Sequence, residues 1–133
     1  MEYFNELFTH VATEVREKHE RTKVMGENTR MPSQFPLVAL DETRNVSLEK
    51  YEDSSLLEKY TGITLKLQVF SNKETGKKAE CRAIFQTADT VLRHYGLSRK
   101  TYTTTPDIYN STIYQITATY EGVISSDGVI YRK

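Results

Sequence analysis

Three histidines and one cysteine are the side chains in this 133-residue chain best suited to metal, nucleophilic or general-base chemistry. His10 and His19 fall in one predicted helix, but not at the i, i+4 spacing that aims two imidazoles at one metal ion. His94 stands at the end of a second predicted helix, where a cationic imidazole complements the C-terminal dipole. All three read as structural or surface residues. Cys81 lies on an apolar helical stripe, so it reads as a buried, inert thiol; reactive thiols need an accessible, electropositive setting. Gly26, Gly62, Gly76, Gly96, Gly122 and Gly128 are isolated turn residues and build no phosphate-cradling loop. Lys73, Lys77, Lys78 and Arg82 form a weak basic patch, but Glu74 and Glu80 interrupt it, so it reads as a solvated turn and helix face. No catalytic, cofactor-binding or metal-binding constellation emerges, and the chain does not read as an enzyme.

The elements around these residues follow from periodicity. Tyr114, Ile116, Ala118 and Tyr120 alternate with Gln115, Thr117 and Thr119, the period-2 pattern of a strand with one buried face. The turn signal Ser125-Ser126-Asp127-Gly128 then leads into Val129-Ile130-Tyr131 and predicts a C-terminal hairpin. Ile63, Leu65, Leu67 and Val69 mark a second strand over Gly62–Ser71. Phe35–Leu40 is a short apolar run whose Pro36 fits the start of a strand. Ser98–Thr105 is a threonine- and tyrosine-rich strand.

Two segments have helical spacing instead. Phe4, Leu7, Phe8, Val11, Ala12 and Val15 predict a helix over Glu2–Lys18. Cys81, Ile84, Phe85, Ala88, Val91, Leu92 and Tyr95 predict one over Lys77–Tyr95, with Gly96 at the C′ position and Leu97 as its apolar contact. Thr22–Ser33 reads as a polar loop. Asp41–Lys59, with scattered Val46, Leu48, Tyr51, Leu56 and Leu57, reads as either a protruding hairpin or a long ordered loop. Together these elements predict an α+β two-layer sandwich: a mostly antiparallel sheet of about four strands, covered on one face by two helices.

Composition sets the remaining bounds. The length suits one domain, 1–133. Eighteen basic and eighteen acidic residues cancel, which argues against a general nucleic-acid or membrane-surface binder. No apolar run has transmembrane length, and the acidic, amphipathic start MEYFNELF is unlike a secretory signal. A single cysteine excludes an internal disulfide framework and fits a reducing compartment. The Asn-x-Ser/Thr matches at Asn45 and Asn110 then read as chance. Nine tyrosines suit interfaces, but tyrosine is also an ordinary strand residue.

Four blocks of the chain resemble the tail terminator (tail completion) proteins of long-tailed bacteriophages of Gram-positive hosts. Phe35-Pro36-Leu37-Val38-Ala39-Leu40-Asp41-Glu42 is similar to that family's first strand. Leu65-Lys66-Leu67-Gln68-Val69-Phe70-Ser71-Asn72, followed by Lys77-Lys78-Ala79-Glu80, resembles its strand–turn–helix junction. Tyr95-Gly96-Leu97-Ser98-Arg99 resembles its helix end, and Ile113-Tyr114-Gln115-Ile116-Thr117-Ala118-Thr119-Tyr120-Glu121-Gly122 its terminal strand. The chain departs from the pattern at Leu97, where Phe is common, and at Gln115 and Thr119, where arginines are common.

The resemblance implies a structural virion protein whose hexameric ring caps the tail tube, ends its polymerisation and docks to the head connector. Its implied partners are other copies of itself, the tail tube protein, the head-completion or connector protein, and phage DNA that passes through the lumen without sequence-specific binding. No membrane and no cofactor is implied. The expected location is the top of the tail in the virion, after synthesis in the bacterial cytoplasm. Tyr51, Leu56, Leu57, Arg99, Tyr109 and Tyr114 are the candidate contact residues. A head-completion or neck protein of the same machinery, or a small α+β binding module or regulator, are the alternatives.

Overall fold

The computed structural model describes residues 2–26, 35–52, 56–106 and 113–124. The element order is α1 (Glu2–Lys18), β1 (Lys23–Met25), β2 (Leu37–Glu52), β3 (Leu56–Ser71), α2 (Lys77–His94), β4 (Ser98–Pro106) and β5 (Tyr114–Ile124). The strands form one sheet in the order β1-β2-β3-β5-β4. All neighbours are antiparallel except β1 and β2, which are parallel. The α+β expectation of a largely antiparallel sheet covered by two helices is borne out, with five strands in place of about four.

The extra strand is β1, inside the stretch whose composition predicts a polar loop. At three residues it is too short to show a period. It forms because Lys23 N–H donates to Pro36 C=O at 3.0 Å and Val24 then pairs with Val38, which buries the valine. The segment after Leu40 is the protruding hairpin and not the long loop: β2 runs on to Glu52 and β3 starts at Leu56. The C-terminal hairpin predicted at Val129–Tyr131 lies outside the described residues.

The core lies between the helices and one face of the sheet. Val38, Leu40, Ile63, Leu65, Leu67 and Val69 meet Tyr114, Ile116, Ala118 and Tyr120 on that face, all buried. Leu7, Val11 and Val15 from α1, and Cys81, Ile84, Ala88 and Leu92 from α2, close over them. Each such aliphatic side chain contributes on the order of 1.5–3 kcal/mol through burial. A smaller cluster of Leu37, Phe70 and Ile113, with Met25 and Phe35 against it, sits apart from this core. That cluster explains why the residues of β2 from Leu37 to Leu40 are buried without alternation.

Two polar devices fix the helical layer. His10 Nδ1 lies 3.1 Å from the Tyr95 hydroxyl, and His19 Nε2 lies 3.1 Å from Thr87 Oγ1. Moving forward along α1 thus moves backward along α2, so the helices are antiparallel and their two imidazoles join them. The end of α2 is closed by a paired turn. Gly96 N–H donates to Arg93 C=O at 2.9 Å and Leu97 N–H to Leu92 C=O at 3.3 Å. This geometry needs the left-handed φ of 89° that Gly96 adopts at little cost. Leu97 then buries its side chain in the core, as its spacing predicts.

Cys81 is fully buried, and its thiol faces the carbonyls of Tyr114 at 3.5 Å and Val69 at 3.8 Å. Burial first, then the nearby Glu80 carboxylate, push the thiol up to about 12. A bulky thiol reagent should therefore label the denatured chain far faster than the native one; equal rates would put the wrong face of α2 inside. Stability should also fall with alkaline pH. The unfolded thiol ionises from near 9 while the folded one stays protonated until about 12, so the native state binds the extra proton across that window. The loss should approach about 1.4 kcal/mol per pH unit from this group. Cys81→Ala should flatten that part of a pH-dependent denaturation series.

Candidate functional site

Among the described residues, no three His, Cys, Asp or Glu side chains are placed to hold a metal ion. None of the described helices is long and apolar enough to cross a membrane. Among the described residues, the features that stand out are a buried carboxylate network, a basic groove, a polar stretch of the sheet face away from the helices and a two-stranded arm.

The network centres on Asp89 in α2, which is 9% exposed. The Tyr120 hydroxyl on β5 donates to Asp89 Oδ1. Arg93, one helical turn on, donates from Nε to Oδ2 at 2.9 Å, and Arg99 Nη1 on β4 lies 3.6 Å from Oδ1. Burial, followed by the hydrogen bond to Asp89, pushes the Tyr120 hydroxyl well above its ordinary range. Arg99 is held on its other side by two rings: its guanidinium lies 5.3 Å from the Tyr102 ring and 5.8 Å from Phe85. Those rings meet edge-to-face at 5.0 Å. One carboxylate thus ties α2 to both β5 and β4. The sequence signal for it is an acid inside the apolar stripe of α2, one turn after Phe85 and one turn before Arg93.

Beside this network a groove of about 840 Å³ opens where α2 ends and β4 begins. Arg44, Arg93, Arg99 and Lys100 line it with Glu121, so cations dominate one corner of a chain whose formal charge is zero. The face of the sheet away from the helices is apolar at the Leu37, Phe70 and Ile113 cluster and polar along β4 and β5. Thr101 and Thr119 share a hydrogen bond at 2.7 Å, and Gln115 donates to Thr117 at 2.9 Å.

The arm comes from unequal strand lengths. Among the described residues, β3 pairs with β5 from Thr61 onward. Its first five residues, Leu56–Tyr60, pair there with β2, opposite Glu52 back to Leu48. That projects roughly 17 Å of two-stranded ribbon past the described end of β5. The register sets Glu49 opposite Lys59 and Lys50 opposite Glu58.

The sequence-predicted contact residues separate accordingly. Tyr51, Leu56 and Leu57 fall on the arm, with Tyr51 opposite Leu57 and Leu56 opposite Glu52. Arg99 lies on β4, partly exposed, and joins the Asp89 network. Tyr114 is 6% exposed in the main core, with the Lys78 ammonium 5.8 Å from its ring. Tyr109 lies outside the described residues.

No family model matches the chain. No curated protein matches it either. Among solved structures, a chain from the virion of a native gene transfer agent (GTA) particle is similar at 11% identity and a TM-score of 0.48. The alignment covers 90% of this chain and 95% of that one. At this identity and score the likeness extends to neither family nor function.

Asp89→Ala should destabilise the chain by about 1–3 kcal/mol, because it strands the buried Tyr120 hydroxyl. Tyr120→Phe should cost about 1 kcal/mol, and the double variant should cost less than the sum of the two. Chemical denaturation reads all three; strict additivity would show that the two side chains do not act together.

Proposed function

We propose that this chain is a structural subunit of a long-tailed phage virion, a tail terminator that assembles as a ring, probes the end of the tail tube, stops its growth and presents the docking surface for the head connector. The observation that carries the reading is the β2–β3 arm. A two-stranded ribbon that outruns its sheet is marginal in water by itself. Its register positions include Leu48, Tyr51, Leu56, Leu57 and Tyr60, residue types that gain by contact with another molecule. An arm at one end of the sheet and a different surface at the other also suit a ring, in which one patch of each subunit meets a different patch of the next.

The motif resemblance over Phe35–Glu42, Leu65–Asn72, Tyr95–Arg99 and Ile113–Gly122 supports the same reading. In it, DNA passes through the lumen of the ring, and balanced charge lets DNA slide without tight binding. The cap works by satisfying the tube's open end with a surface that does not regenerate that end on its far side.

Shortening the arm within residues 47–60 should leave a folded monomer that fails to assemble. An unfolded product would make the arm part of the core and remove this support. In particles made without the protein, tube polymerisation should lose its stop. Electron microscopy should show free tubes longer than normal and heads without tails. Normal-length tails attached to heads would rule the terminator reading out. Normal-length but unattached tails would favour a head-completion protein.

A further inference from the structure

Among the described residues, both margins of the sheet are open. β2 is paired on its outer side only at Leu37–Ala39. Three of its sixteen residues are thus covered, and thirteen, Leu40–Glu52, have no outer strand. At the other margin β4 has no outer strand along its nine residues, Ser98–Pro106. An open strand edge is a row of unpaired N–H and C=O groups, and a chain must either blunt it or pair it. β4 is not blunted along its middle: it runs Thr101-Tyr102-Thr103-Thr104-Thr105 before its terminal Pro106.

The two edges also complement each other. The open part of β2 carries Asp41, Glu42, Glu49 and Glu52 against Arg44 and Lys50, whereas β4 carries Arg99 and Lys100 and no carboxylate. The large hydrophobic side chains exposed among the described residues are Val46 and Tyr102, one on each edge strand. Each strand has one register irregularity, at Glu42/Arg44 and at Arg99/Thr101, and such bulges add the local bend that a curved sheet needs.

Strand direction agrees with this pairing. β2 is antiparallel to β3, β3 to β5, and β5 to β4, so β2 and β4 run in opposite senses within one copy. Rotation about a ring axis keeps the sense of each strand relative to that axis. The β4 of one copy would then meet the β2 of the next as an antiparallel pair, the pattern the rest of the sheet uses.

We infer that the outer edge of β4 pairs antiparallel with the open outer edge of β2 in a second copy of this chain, so that the sheet continues from subunit to subunit. The inference rests on the ring reading and names the surfaces that close the ring. The nine residues of β4 fit within the open stretch of β2, and the basic start of β4 lies against a strand that is acidic overall.

The test is amide hydrogen exchange on the assembled wild-type ring and on the Lys100→Glu variant, with native mass spectrometry reading the oligomeric state. Lys100 is exposed, so the variant should fold, which circular dichroism checks. In the wild-type ring the amides of Lys100–Thr104 that point away from β5 should exchange at least about tenfold more slowly than in the variant. Lys100→Glu should reduce assembly, and Lys100→Arg should leave it intact. A wild-type ring whose β4 amides exchange as fast as the variant's, and a variant that assembles fully, would overturn the edge pairing while leaving the ring intact. A wild-type chain that stays monomeric alone and on tail tubes would overturn the ring reading, and the pairing with it.

Discussion

Strand β3 sets the constraint that the rest of the chain meets. It is the central strand of the order β1-β2-β3-β5-β4, so its backbone needs partners on both sides. Its residues Ile63, Leu65, Leu67 and Val69 all bury toward the helices. A slip of one residue in either ladder would turn that stripe to the opposite face. β2 and β5 are therefore locked in register by what β3 must hide. The helices supply the cover, and the antiparallel His10–Tyr95 and His19–Thr87 contacts hold it in place. Because β3 and β2 both run past the described end of β5, the strand that organises the core also carries the arm.

The Asp89 network is the polar counterpart of that apolar lock. Dispersion between α2 and the sheet is non-directional and would tolerate sliding, whereas a carboxylate shared by Tyr120, Arg93 and Arg99 is satisfied in one placement. It sits where α2 hands the chain over to β4, next to the paired turn at Gly96 and Leu97. The position of the β4 edge is thus set by two independent devices. An edge used for assembly has to be held rigidly, since ordering a loose strand on contact would cost binding energy.

Much of this fold was legible in the residues. The alternation in Tyr114–Tyr120 and in Ile63–Val69 marked the central strands, and the i, i+3, i+4 stripes marked both helices to within a residue. Gly96 and Leu97 announced the helix end because that turn needs a left-handed residue followed by an apolar one. β1 was not legible: three residues carry no period, and their partner, Leu37–Ala39, is contiguous only in space. The arm's sequence suits a hairpin or a loop alike, since residues 47–60 carry no sustained apolar alternation. Asp89 is illegible for a different reason: its position within an apolar stripe is informative only because Tyr120 and Arg99 converge on it in space.

The account stands on assembly, so the most direct measurement is electron microscopy of the purified chain mixed with tubes of its cognate tail protein. Closed rings should appear at one end of each tube, with the opposite end bare and no rings along the wall. Tubes that keep adding subunits at both ends, with the chain dispersed as monomers, would contradict it.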